Sequence, residues 1–202
     1  VNDKSSCGSS TPQEEVNFKT HWDNAYANSQ VEKLGWYETD LSPTLELLKK
    51  TMLRKTARIL NVGAGATTLV DKLVSDEYTN IIATDISNVS LDHLKSRLCD
   101  QSKMVEFIID DLTNPDELLK IDSVDLWIDR AVLHFFNKCE EQDEYFALLK
   151  KLIKPGGYVI LAEYNLNGAT KCEGLPVHRY SKEMLQEKLS EGFKLIDIFD
   201  YT

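Results

Sequence analysis

The stretch Ala57–Ser87, ARILNVGAGATTLVDKLVSDEYTNIIATDIS, decides the fold. Its opening ARILNV is an apolar run of strand length, and the glycines at 63 and 65 close it. TTLVDKLVSD then carries apolar residues at helical spacing, and IIATD is a second apolar run. The segment therefore reads strand, glycine turn, helix, strand. Strands that are apolar throughout are covered on both faces, and a helix between them makes them parallel. Gly63 and Gly65 permit backbone angles and close approaches that a side chain prevents, so a ligand is expected against the backbone at the helix amino end, where free N–H groups point outward. Asp85 closes the second strand about twenty residues downstream, where an acid in a doubly wound sheet accepts hydrogen bonds from a ribose diol. A helix-capping role competes for Asp85, with Ser87 an equal contender for that cap.

Outward from this unit the pattern repeats. MVEFIIDD, VDLWIDRA and GYVILAEYN are further strands, with helices at VSLDHLKSRLCD and EEQDEYFALLKKLI and at most a short one at NPDELLKI. FKLIDIFDYT is a sixth strand candidate. The fold class is α/β, a mostly parallel sheet with helices on both faces, in one domain. Residues 1–15 are small and polar and read as a disordered tail. Residues 16–54 form a helical arm: Phe18, Trp22, Ala25 and Tyr26 lie near helical spacing, and Ser42 is expected to cap a helix that opens with Pro43. Residues 55–202 form the core.

A formal net charge of −10, with Lys and Arg dispersed, repels phosphate backbones and anionic lipid, so a small-molecule partner is expected rather than nucleic acid or membrane. No apolar run has bilayer length and the start does not resemble a signal peptide, which predicts a soluble cytoplasmic chain. Cys7, Cys99, Cys139 and Cys172 are scattered, form no C-x-x-C pair, and are expected as reduced thiols with no metal site. The glycine turn and Asp85 together indicate an adenosine-type cofactor. A dinucleotide favours glycine at position 68, where this chain has Thr68, and its pyrophosphate must be neutralised. S-adenosylmethionine carries no phosphate, and the sequence leans towards it.

From about residue 16 to 202 the chain resembles class I S-adenosylmethionine-dependent methyltransferases. The likeness rests first on NVGAGATTL, where Asn61 and Thr67 depart from the common acid and third glycine. It implies a Rossmann-like sheet with Gly63, Ala64 and Gly65 against the cofactor and Asp85, flanked by Ile86 and Ser87, at the ribose. In IIDDLTN it gives Asp111 the adenine amino group and Leu112 a backbone contact to the ring, with Asp110 the other candidate. In VDLWIDRAVLHFF it places Asp129 and Arg130 facing the methyl donor, and LIKPGGYVIL launches the fifth strand. A group of small bacterial-type methyltransferases is most similar, sharing W-D-x-x-Y (Trp22 to Tyr26), the Trp36–Tyr37 pair, D-R-A-V-x-H-F (Asp129 to Phe135) and G-L-P-V-x-R-Y (Gly174 to Tyr180). Thiopurine-type and some lysine methyltransferases resemble it more distantly. The class sheet normally ends with a seventh, antiparallel strand, which this chain is expected to lack because it stops at Thr202.

Methyl transfer from a sulfonium needs alignment, exclusion of water and sometimes removal of a proton. His134 is the candidate base, against a plain helix-start histidine bonded to backbone. Trp22, Tyr26, Trp36 and Tyr37 form an expected aromatic lid near the sulfonium, or simply pack the arm. Arg130 and Arg179 are candidates to grip a substrate carboxylate, and Tyr37, His134 and Arg179 are the expected substrate side. The expected reaction methylates a small molecule, with a thiol or other soft nucleophile preferred, and yields S-adenosylhomocysteine. A protein lysine methyltransferase and a non-catalytic S-adenosylmethionine-binding module are the alternatives. DRAV in place of an Asn- or Asp-Pro-Pro-Tyr motif counts against the first.

Overall fold

Side chains on the central strands alternate between two apolar layers, and that alternation builds the domain. The computed structural model describes residues 16–38 and 40–201; the predicted tail lies outside them. Ile59 of β1 (Ile59–Val62), Ala83 of β2 (Ile81–Asp85) and Ile128 of β4 (Val124–Arg130) enter one layer. Leu60, Ile82 and Trp127 enter the other. Both layers are shielded from water, as the unbroken apolar runs require.

The first layer is roofed by α2 (Ser42–Thr51), α3 (Leu69–Ser75) and α4 (Asn88–Leu98), through Leu48, Leu69, Leu73 and Leu94. The second is roofed by α5 (Cys139–Leu152), through Tyr145 and Leu149. With β3 (Val105–Ile109) and β5 (Ile153–Ala162) the sheet order is β3-β2-β1-β4-β5, all parallel. The chain winds outward in one direction from β1 to β3 and in the other from β4 to β5. The carboxyl ends of β1 and β4 therefore splay around a crevice, the usual ligand position in such sheets.

The arm helix α1 (Phe18–Ala27) crosses this end of the sheet. Asn17 caps it by accepting from the Thr20 N–H at 2.9 Å. Lys19 Nζ reaches Asn88 Oδ1 at 2.7 Å, and Ser87 Oγ donates to Asp23 Oδ1 at 2.7 Å, which pins α1 to the start of α4. Ser42 is the first residue of α2 rather than its cap; its N–H donates to Asp40 Oδ1 at 2.9 Å. A short hairpin, β6 (Lys171–Cys172) with β7 (Leu175–Pro176), follows β5. Then comes α6 (Lys182–Leu189), which the sequence reading left unassigned.

The sixth strand is not formed. Residues 193–201 pair with no strand, and Leu195, Ile196, Ile198 and Phe199 are exposed. Alternating apolar residues define a face, but a strand also needs a ladder, and these residues make none although the outer edge of β5 is open to them. Side chains hold the segment instead: Lys50 pairs with Asp197, and Asn165 Nδ2 donates to Asp200 Oδ1 at 3.0 Å. Cys99 and Cys172 are free, whereas Cys139 is disulfide-bonded, so the expectation of four reduced thiols does not hold. Among the described residues no helix is long and apolar enough to cross a membrane, and no cluster of His, Cys, Asp or Glu is suited to a metal ion.

Candidate functional site

The glycine turn after β1 is folded inward on the protein. Ala64 N–H donates to Thr84 O at 2.9 Å and Gly65 N–H to Asp85 Oδ2 at 2.8 Å. Gly63 and Gly65 both have φ of +53°. A Cβ on Gly63 would lie 2.0 Å from Val132 Cγ2, and one on Gly65 would lie 2.4 Å from the Tyr26 hydroxyl. The glycines thus admit two protein side chains, and the turn amides are spent on protein acceptors rather than aimed at a ligand. Arg97 fixes the turn from behind. It forks onto Asp71 at 2.8 and 2.7 Å and donates to Ala66 O and Thr67 O, each at 2.6 Å.

Asp85 ends β2 with each carboxylate oxygen on one backbone donor: Oδ2 on Gly65 N–H, and Oδ1 on Ser87 N–H at 2.8 Å. Burial pushes its pKa up to about 6, against those stabilising donors. Ser87 itself caps α4, accepting from Ser90 N–H at 3.2 Å.

Above these groups lies a cavity of about 670 Å³ at the carboxyl ends of the strands. Its first wall is the arm. Trp22 and Trp36 meet edge to face at 5.3 Å, Trp36 and Tyr26 at 5.6 Å, and Trp36 Nε1 donates to the Tyr26 hydroxyl at 2.9 Å; Tyr37 completes the wall. Its second wall is the ends of β2 and β3, with Thr84, Asp85, Ile86, Asp110, Asp111 and Leu112. The two acids there organise their own loop: Asp110 Oδ2 accepts from Leu118 N–H and Asp111 Oδ1 from Thr113 N–H, each at 2.8 Å. The third wall is Arg130 to Val132 with Phe135 and Phe136, and Tyr164, Cys172 and Tyr201 close the far side.

Arg130 is 12% exposed and pairs with Glu38, yet its Nε and Nη1 are buried without a protein partner. Burial lowers its pKa, opposed by the nearby Tyr201. Thr84 Oγ1 is likewise buried and unpartnered on the second wall. Orphaned polar atoms lining a cavity mark places where a ligand supplies the missing bond.

The cavity therefore brings together Trp22, Tyr26, Trp36, Tyr37, Gly63, Asp85, Ile86, Asp110, Asp111, Leu112 and Arg130 from the sequence-predicted set. Ala64, Gly65 and Ser87 lie behind its surface. So do Asp129 and His134, both 0% exposed, whereas they were expected to face the methyl donor and substrate. Strand alternation puts Asp129 on the face of Trp127, under α5, and the turn at Ala131, with φ of +68°, folds His134 back behind the wall. Asp129 Oδ1 caps that turn by accepting from Val132 N–H at 3.0 Å. Its Oδ2 accepts from Leu133 N–H at 3.2 Å and from the Tyr145 hydroxyl at 2.6 Å. His134 Nδ1 lies 2.8 Å from Glu163 Oε2. Arg179 donates to Leu166 O at 2.7 Å and does not line the cavity.

Sequence reasoning missed Glu38, Tyr145, Glu163, Cys172 and Tyr201. Only Glu163 carried a legible signal, an acid directly after an apolar strand run, as Asp85 is at the end of its own.

The comparisons with known proteins agree with this architecture. A family model described as a methyltransferase domain matches residues 53–197. Phosphoethanolamine N-methyltransferase 1 of Triticum aestivum is 26% identical over 122 residues, 59% of this chain and 24% of its own length. The chain spans about a quarter or less of the curated relatives it matches. A structure described for conversion of a disulfide bond into a thioacetal group during echinomycin biosynthesis superposes with a TM-score of 0.67 at 16% identity, covering 86% of this chain and 78% of that one. A DhpI–SAM–HEP complex superposes with a TM-score of 0.61 at 14% identity, covering 84% of each. Likeness at such identities speaks for the fold. With the family match spanning residues 53–197 on a β3-β2-β1-β4-β5 parallel sheet, the chain belongs to the class I S-adenosylmethionine-dependent methyltransferase domain family.

Proposed function

We propose that this chain transfers a methyl group from S-adenosylmethionine to a small-molecule acceptor. The observation that carries the reading is the pairing of Asp85 with a glycine turn whose amides are already used. Each Asp85 oxygen holds one backbone donor and keeps a further lone pair, so the carboxylate has room for both hydroxyls of a ribose diol. A pyrophosphate seated on the glycine turn would instead need its amides free, and those of Ala64 and Gly65 are taken. An adenosine cofactor without phosphate fits these groups.

In this reading Asp85 holds the ribose. Ile86, Asp111 and Leu112 receive the adenine, with Asp110 as the brace of their loop. Gly63, Trp22, Tyr26 and Trp36 enclose the methionine end. When bound, the cofactor supplies an electrophilic methyl on a sulfonium, and aromatic rings beside that cation favour it. Arg130 offers its two unpartnered nitrogens to an acceptor lying against Phe135 and Tyr164. Residues 16–54 serve as the lid of a core formed by residues 55–202, and the lid leaves space for a small acceptor. A thiol or another nucleophile that ionises near neutral pH is preferred, because His134 sits behind the wall and no histidine lines the cavity.

Calorimetric titration with S-adenosylmethionine, S-adenosylhomocysteine and NADH tests the cofactor, with Asp85→Ala in parallel. Binding of the first two, weakened tenfold or more in the variant, supports the reading. Binding of NADH alone, or no binding by a folded protein, refutes it. Thiols, amines and carboxylates are then screened for S-adenosylhomocysteine release.

A further inference from the structure

Behind the cavity, four elements converge on a buried pair of acids. Asp129 of β4 and Glu163, just past β5, meet on the loop that follows β4, Asp129 accepting from the amides of Val132 and Leu133 and Glu163 from the next one. Glu163 Oε2 accepts from the His134 N–H at 3.2 Å and faces His134 Nδ1 at 2.8 Å, while its Oε1 is buried without a hydrogen-bond partner. The Glu163 side chain is 2% exposed and that of His134 is 0% exposed. Between them the two acids accept from the consecutive amides of Val132, Leu133 and His134. Those residues are the inner side of the wall whose outer side presents Ala131, Val132, Phe135 and Phe136 to the cavity. Val132 also fills the space above Gly63, so the acids set how the wall meets the glycine turn.

Two carboxyls buried on adjoining amides of one loop are both disfavoured as charges: mutual repulsion and desolvation act together, and one proton shared between them relieves both. We propose that Glu163 is a positioning residue which, sharing one proton with Asp129, locks the 131–135 wall of the cavity onto β4 and β5. The surroundings support this. The groups facing the pair are His134 from the wall, Tyr145 from α5, Tyr164 beside Glu163 and Tyr180 from the segment before α6. Burial pushes the Glu163 pKa up to about 8 and raises that of Asp129 well above the carboxylate range, so the shared proton is present at neutral pH. An acid with a raised folded pKa stabilises the folded state while protonated, and that contribution is lost as pH rises towards and through about 8.

The test needs no cofactor or acceptor, so its failure is distinct from failure of the proposed activity. Hydrogen exchange, corrected for intrinsic rates, is followed at the Val132, Leu133 and His134 amides from pH 7 to 9 in the wild type and in Glu163→Gln. Glutamine keeps the acceptor for His134 and donates to Asp129 without a titrating proton. The wild type is expected to lose protection at these amides by up to tenfold per pH unit, while Glu163→Gln stays level. Infrared titration of the wild type is expected to show a protonated carboxylic-acid carbonyl band at pH 7 that disappears over the same range. Absence of that band at pH 7, or the same alkaline loss of protection in Glu163→Gln, overturns the proposal. So does a Glu163→Gln protein unfolded at neutral pH while Glu163→Asp is native, because the wall would then require the charge.

Discussion

Replacing Gly63 by alanine isolates the physical reason for the glycine turn, provided it is compared with Gly156→Ala. Both glycines have positive φ, +53° at Gly63 and +79° at Gly156. An L-residue held there costs about 1–2 kcal/mol. The two sites differ in space. Around Gly156 an added Cβ meets nothing within 4 Å, whereas at Gly63 it lies 2.0 Å from Val132 Cγ2 and 3.3 Å from Val132 Cβ. A valine has no length to retract, and the wall carrying it is tied by Asp129 and Glu163. Overpacking of that kind adds about 1–3 kcal/mol, which brings Gly63→Ala to about 2–5 kcal/mol against about 1–2 kcal/mol for Gly156→Ala. For a domain of this size each kcal/mol moves the melting midpoint by roughly 2–4 °C. Urea unfolding followed by tryptophan fluorescence measures both variants. If they agree within about 0.5 kcal/mol, the contact with Val132 carries no weight and the glycine is explained by backbone angle alone.

Cofactor binding should follow the ionisation of Asp85: its carboxylate is available above about pH 6 and protonates below it, so S-adenosylhomocysteine affinity is expected to fall by up to about tenfold per pH unit in acid. Calorimetry at pH 5 and 8 checks this, and a flat profile would separate Asp85 from the ribose. The same shift has the opposite sign for stability, since ionising a buried acid with a raised pKa costs the folded state as pH rises from about 4 to about 6. Tyr145→Phe removes the 2.6 Å donor to Asp129 and the 3.1 Å acceptor for Trp127 Nε1; a loss of about 1–3 kcal/mol is expected in urea unfolding, and a neutral result would mean those groups find other partners. Arg97→Lys gives up the fork onto Asp71 and at least one turn carbonyl. Because Arg97 is partly exposed, a modest loss of about 1–2 kcal/mol is expected in thermal unfolding, together with weaker S-adenosylhomocysteine binding.

The inner strands β1, β2 and β4 could be read from the sequence because burial on both faces makes them mostly apolar, while the edge strands β3 and β5, only partly buried, showed through their Val, Ile, Phe and Tyr residues between helical stretches. The C-terminal FKLIDIFDYT has the same composition on alternate positions yet forms no strand, since composition carries no information about a hydrogen-bonding neighbour. Helix α6 escaped notice for a related reason: none of its residues is buried, so its apolar stripe is thin. In the site, residues at strand ends and on the arm were legible by position. The orientation of His134 was not, because it depends on one left-handed residue, Ala131, and nothing in DRAVLHF demands that angle of an alanine.

Three acids illustrate how far position carries the argument. Asp85, Asp129 and Glu163 stand at or just past the carboxyl ends of β2, β4 and β5, but the register puts Asp85 on the face of Ala83 and the other two on the face of Trp127. Their roles diverge through that face and through the amides within reach. After β2 the chain turns away, so Asp85 receives one donor on each oxygen and keeps lone pairs towards the cavity. After β4 the chain doubles back at once, and Val132 and Leu133 draw the Asp129 carboxylate inward, where Tyr145 completes it. Glu163 has one more methylene, enough to reach past its own strand end to the amide and ring of His134. Ligand contact in this fold is thus decided by the face each acid takes and by the backbone following it, so Asp85→Asn should impair cofactor binding and Glu163→Gln should not at neutral pH. Equal loss of affinity in both variants would show that the wall behind the cavity and the carboxylate within it act as one unit.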